Sequence, residues 1–135
     1  MISRVLHLRG WTLVFYFATQ PPEPERVLQT LKAAGAQSEI NRAAQIFESA
    51  ERNCGFTYTN PETQTAVTYI GPTTSAAQFL NTWTHELRHI SDAVTAADHG
   101  EPPAYLTGDI CERLSDIICR FSCEKCRKIY NFASL

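Results

Sequence analysis

Hydrophobic positions along the chain follow two periods, one near two residues and one near three and a half. Residues 2–9 and 11–19 are apolar and β-prone with Gly10 between them, predicting one long strand or a tight hairpin. The prolines of QPPEPE end that run and suit a turn into a helix. From about Glu25 to Ala34, Val27, Leu28 and Leu31 form a short helical stripe that stops at Gly35. A second helix is expected over Ser38–Arg52, with Ile40, Ala43, Ala44 and Phe47 on one side. Residues 56–59 and 65–70 alternate apolar and polar around Asn60-Pro61-Glu62, the signature of a β-hairpin. Thr73–Ala97 reads as one helix opened by a Ser/Thr cap and closed near Gly100. A last helix runs from Pro102 to about Lys128 on a stripe of Leu106, Ile110, Leu114, Ile117 or Ile118, and Phe121. The order of strands, two helices, hairpin and two long helices predicts a single α+β domain over residues 1–135. Its small antiparallel sheet, with a hairpin, would pack on the long helix and a following C-terminal helix.

Composition narrows the classes without naming one. A chain of 135 residues with 44% apolar and 19% charged positions has enough apolar material for one core. A net charge of −2 offers no electrostatic footprint for nucleic acid, and the basic cluster Arg120, Lys125, Arg127 and Lys128 suits a solvated helix end. No apolar run approaches the roughly eighteen residues of a membrane span. The stretch WTLVFYFAT follows Arg4 and Arg9, but it is aromatic and β-branched and lacks a small-x-small cleavage site, so a strand is expected there rather than a leader. The five cysteines (Cys54, Cys111, Cys119, Cys123 and Cys126) are an odd number and favour reduced thiols in the cytoplasm. Four of them fall on the predicted last helix. One CxxC, Cys123–Cys126, falls short of the two pairs of a usual structural zinc site, so buried or half-exposed thiols are the plain expectation, with a second metal, a disulfide or a redox role as the others.

The segment carrying the most chemistry is TWTHELRHISDAV, residues 82–94. On a helix His85 and His89 lie about 40° apart on the wheel and one turn apart along the axis, where two imidazoles can hold one tetrahedral cation from the same side. Glu86 lies beside them, placed to hold a water rather than the metal. Leu80, Trp83, Leu87, Ile90 and Val94 cluster on the opposite side. That split suits a metal-bearing cleft wall, and equally a solvated histidine face.

Through His85, Glu86 and His89, the hairpin before them and the helix after them, residues 56–112 resemble the zincin metallopeptidases. In that group an HExxH helix supplies two zinc ligands and the general base beneath a small sheet whose edge strand receives the substrate. The resemblance implies a zinc-dependent metallohydrolase, most simply a small peptidase acting on peptide or protein substrates. Zn²⁺ would be held by His85 and His89, with Glu86 as general base. The gluzincin pattern takes its third ligand from a Glu in the following helix, in the context Glu-x-x-Ala, which Glu101 and Ala104 supply. Asp109, Asp98 and His99 remain alternatives, and a carboxylate at Glu101 also suits a helix N-terminus, worth about 0.3–1 kcal/mol. Asp92, three residues past His89, is placed either to orient an imidazole or as a surface carboxylate. Tyr105, one turn after Glu101, is a candidate oxyanion donor or a half-buried core tyrosine. The strand AVTYI, residues 66–70, is the expected edge for an extended peptide. The rival class is a zinc-stabilised binding or regulatory domain that cleaves nothing; a partner-binding domain without metal is the third.

Overall fold

The computed structural model describes residues 1–18, 24–48, 55–96 and 100–129, the Glu48 side chain apart. Cys54, Asp98, His99 and the expected end of the second helix at Arg52 lie outside the described residues. Four strands and six helices follow in the order β1 (Ile2–Leu8), β2 (Trp11–Phe17), α1 (Pro24–Ala33), α2 (Gln37–Glu48), β3 (Gly55–Asn60), β4 (Thr65–Ile70), α3 (Ala76–Val94), α4 (Glu101–Arg113), α5 (Ser115–Ser122) and α6 (Glu124–Ile129). The domain is α+β.

The N-terminal segment is a hairpin rather than one long strand. Leu8 pairs with Trp11, and the two residues between them, Arg9 and Gly10, take φ of 52° and 78°. Two left-handed residues give the turn the twist that antiparallel strands need. The second hairpin joins β3 to β4 with Gly55 opposite Ile70 and Asn60 opposite Thr65.

The sheet is mixed, in the order β1-β2-β4-β3, where the pattern of hairpins predicts an antiparallel one. Between β2 and β4 the chain passes through α1, α2 and β3. Because β3 lies outside β4, β4 sits against β2 and runs parallel to it, Leu13 beside Ala66 and Phe17 beside Ile70. That neighbour relation is long-range, and no local pattern records it. It also explains why β2, WTLVFYF, carries Val14 and Tyr16 between Leu13, Phe15 and Phe17: helices cover both faces of the central strands. Leu13, Phe15 and Phe17 pack with α3, α4 and α5, while Tyr16, Val67 and Tyr69 pack with α1 and α2.

The edge assignment changes as a consequence. AVTYI is an interior strand, buried from Ala66 to Ile70, and β3 is the edge.

Helix α3 is set by its cap and its core face. Ser75, at φ −149° and ψ 161°, accepts a hydrogen bond from the backbone N–H of Gln78 at 3.1 Å. Phe79, Trp83, Leu87 and Ile90 are buried, whereas Leu80 is 42% exposed, so Phe79 takes the place in the apolar face expected of Leu80. Trp83 and Phe17 lie 5.8 Å apart between ring centroids, and Phe17, Phe79 and Phe121 complete an aromatic cluster at 5.0–6.4 Å. The helix ends at Val94, short of Gly100.

The expected single C-terminal helix is three. It breaks at Leu114 (φ −106°, ψ 13°) and at Cys123 (φ −111°, ψ 116°). A straight helix over those residues would reach about 40 Å, far past the sheet it must cover. The two bends keep Leu106, Ile110, Leu114, Ile117 and Phe121 all buried on one core. Ile118 is only partly buried, which decides between the two isoleucines. The cysteines are therefore spread over a folded corner, with Cys111 on α4, Cys119 on α5, Cys123 between α5 and α6, and Cys126 on α6. All four are free thiols.

Candidate functional site

Helix α3 crosses the sheet beside β3, and what brings it close is a missing side chain. A Cβ placed on Gly55 would stand 2.8 Å from the Tyr69 carbonyl oxygen, 3.0 Å from Glu86 Cγ and 3.0 Å from Thr82 Cγ2. Only glycine admits that approach. With the aromatic face of α3 held in the core, the opposite face is turned outward along the open edge of β3.

His85 and His89 are exposed there, and their Nε2 atoms face each other at 3.2 Å with the rings at 75°. One protonated and one unprotonated Nε2 make that contact a hydrogen bond. Glu86, between them in sequence, is buried where they are exposed: it is only 4% exposed, and its Oε2 accepts a hydrogen bond of 2.6 Å from Thr57 Oγ1 on β3. Thr57 Oγ1 in turn lies 3.2 Å from Thr68 Oγ1 on β4. An ionisable group so buried is held in one orientation by the sheet.

The three residues line a cleft of about 180 Å³ at the outer edge of β3. Its floor is Gly55, Phe56, Thr57 and Tyr58; Glu39, Arg42, Ala43 and Ile46 of α2 form the wall facing α3. No sequence signal marks the α2 wall: of its residues only Ala43 lies on the apolar side expected of that helix. Glu39 and Arg42 are 3.7 Å apart, Arg42 exposed and Glu39 half-buried.

Two imidazole nitrogens that share one tetrahedral ion at 2.0–2.1 Å must stand about 3.3 Å apart, a figure that follows from the tetrahedral angle. The observed 3.2 Å meets that condition, so the donor pair fits a zinc-sized cation. Among the described residues no group of three or more His, Cys, Asp or Glu side chains gathers to hold a metal. Glu101 is exposed in the first turn of α4, preceded by Gly100 at φ 85°, and is not among the cleft-lining residues. Gly100, rather than Glu101, occupies the cap position. The start of α4 nevertheless borders the helix turn after His89: Gly100, Pro103, Ala104 and Thr107 enclose a space with Arg88, Ser91 and Asp92. Asp109 is drawn away to Arg9 at 3.0 Å. Asp92 pairs with Arg88 at 2.8 Å, which leaves it the surface role rather than contact with an imidazole. Tyr105 is 65% exposed, so it is no half-buried core residue.

The fold and the cleft define an α+β domain with an HExxH helix along an open sheet edge. Comparison with family models, with curated proteins and with solved structures gives no match to this chain. Among the described residues, no helix is long and apolar enough to cross a membrane.

Proposed function

We propose that the chain is a zinc-dependent hydrolase of the zincin type, acting on peptide bonds in an extended peptide or protein. The observation that carries this reading is the facing pair of His85 and His89 Nε2 atoms at 3.2 Å, set beside a buried carboxylate at an open strand edge. His85 and His89 hold Zn²⁺, with Glu101 at the start of α4 as the third donor. Bound there, zinc supplies a Lewis acid that polarises a carbonyl and makes water acidic near neutral pH.

The rest of the chemistry belongs to the chain. Glu86, anchored by Thr57, takes a proton from the attacking water and returns it to the leaving amine. The free backbone edge of β3 aligns the peptide by strand addition, in place of the interior strand β4. Tyr105, one turn along α4 from Glu101, is the donor assigned to the oxyanion. A domain that keeps zinc and cleaves nothing would leave Glu86 only its structural bond to Thr57, so cleavage is what separates the two readings.

The test is the zinc content of freshly purified chain by elemental mass spectrometry, beside His89→Ala and Glu101→Ala. About one zinc per chain, lost in both variants, is the expected result. Casein or a peptide library then separates the two zinc-binding readings: cleavage that disappears in Glu86→Gln, with zinc retained, marks the hydrolase. Zinc without cleavage in the parent chain marks the binding domain, and no zinc overturns both.

A further inference from the structure

The folded corner between α5 and α6 holds a second chemistry, independent of the cleft. Cys123 stands where the backbone leaves α5 in extended geometry, and Cys126 lies in the first turn of α6. The Cys123 sulfur accepts the Cys126 backbone N–H at 3.5 Å, and the Cys126 thiol also hydrogen-bonds to it. Both thiols are half-buried.

The corner is fixed on either side of the pair. Glu124 Oε1 accepts the Ala76 backbone N–H at 2.6 Å, tying the residue after Cys123 to the first turn of α3. Arg127, fully buried, donates to the Phe121 carbonyl at 2.9 Å and to the Thr73 carbonyl, tying the residue after Cys126 to the loop ahead of α3. Both flanking residues thus hold the corner in place around the pair.

We propose that Cys123 and Cys126 form a redox-active dithiol that exchanges with low-molecular-weight disulfides, Cys123 attacking and Cys126 resolving. Hydrogen bonds from Cys126, with a smaller contribution from the Lys125 charge, lower the Cys123 pKa, while donating that bond raises that of Cys126. The asymmetry assigns the two roles, since the thiolate is the nucleophile. In the first step the Cys123 thiolate attacks one sulfur of a disulfide such as glutathione disulfide, forming a mixed disulfide and releasing one glutathione thiolate. Cys126 then loses its proton and attacks the Cys123 sulfur, releasing the second glutathione. Two protein thiols are oxidised to one disulfide, and one small disulfide is reduced to two thiols.

The experiment treats the reduced full chain with glutathione disulfide, quenches in acid, alkylates and digests with trypsin. Lys125 separates the two cysteines, so their disulfide appears as the peptide 121–125 joined to the peptide 126–127. That joined species is the expected first product. Cys126→Ser should instead accumulate one glutathione on Cys123. Cys123→Ser should leave Cys126 at least about tenfold slower to react. A first product that links Cys119 to Cys123, glutathione appearing first on Cys111 or Cys119, or thiols that stay reduced because a metal occupies them would each overturn the proposal.

Discussion

Thr57 Oγ1 and Glu86 Oε2 lie 2.6 Å apart across the joint between the edge strand and the HELRH helix. The carboxylate between two exposed histidines is therefore oriented from the sheet side. If the bond holds Glu86 in place, Thr57→Val should destabilise the fold by about 1–3 kcal/mol, because it leaves a buried carboxylate oxygen without its donor. Urea unfolding measures this. Thr57→Val made in a Glu86→Gln background should cost less than in the parent chain, and equal costs in the two backgrounds would show that the pair is not coupled.

Two glycines should respond to alanine with opposite signs. At Gly55 the new methyl meets the Tyr69 carbonyl oxygen at 2.8 Å, and backbone cannot swing aside, so Gly55→Ala should destabilise by about 1–3 kcal/mol. At Gly108, inside α4, nothing lies within 4 Å of the new methyl. Gly108→Ala should stabilise by about 0.5–1 kcal/mol through helix propensity alone. Paired denaturation curves check both, and a destabilised Gly108→Ala would mean that α4 carries a contact on that face.

How much of this was legible beforehand depends on the range of the interaction. The period of α3, its Ser cap and its His-Glu-x-x-His spacing are local, and the helix forms where the pattern places it, with Trp83, Leu87 and Ile90 inward and His85 and His89 outward. The turn at Asn60–Gln64 is local too. The parallel pairing of β2 with β4 is not, and with it went the identity of the edge strand, since Ala66–Ile70 reads equally well as an edge or a centre. Leu114 keeps the helical stripe perfectly in phase, so its break has no sequence signal; the bend answers to the length of the sheet. Glu101 is placed by a resemblance and by Gly100, not by any periodicity, and the cleft wall at Glu39 and Arg42 comes only from the way α2 crosses the far side of β3.

Tyr69 gives the alkaline limb of stability. Its ring packs against Phe47 at 4.8 Å and Phe56 at 5.5 Å, and burial pushes its phenol up from 10.0 to about 12. Because the folded chain keeps this proton where the unfolded chain loses it, the contribution is fully present below about pH 10 and is lost as pH rises toward 12. The whole contribution is about 2–3 kcal/mol, from two pKa units at about 1.4 kcal/mol each. Urea midpoints taken from about pH 9 to about pH 11 should fall in the parent chain, with a shallower fall in Tyr69→Phe. Identical slopes would mean that another group sets the limb.

Zinc should stabilise the fold through the α3 histidines and not through the cysteine corner. With free zinc roughly a hundredfold above its dissociation constant, binding to the folded state alone adds about 2–3 kcal/mol, read as a higher melting temperature that a chelator reverses. His85→Ala and His89→Ala each remove one of the two nitrogens that face each other at 3.2 Å, so either should abolish the shift. Cys123→Ser touches neither nitrogen and should leave the shift whole. Glu101→Ala locates the third donor: a shift lost there places the start of α4 at the metal, and a shift retained moves the donor to Asp109, Asp98 or His99. The reverse pattern, a shift lost with Cys123 and kept without His89, would transfer the metal to the corner and leave HELRH as the outer face of a core helix.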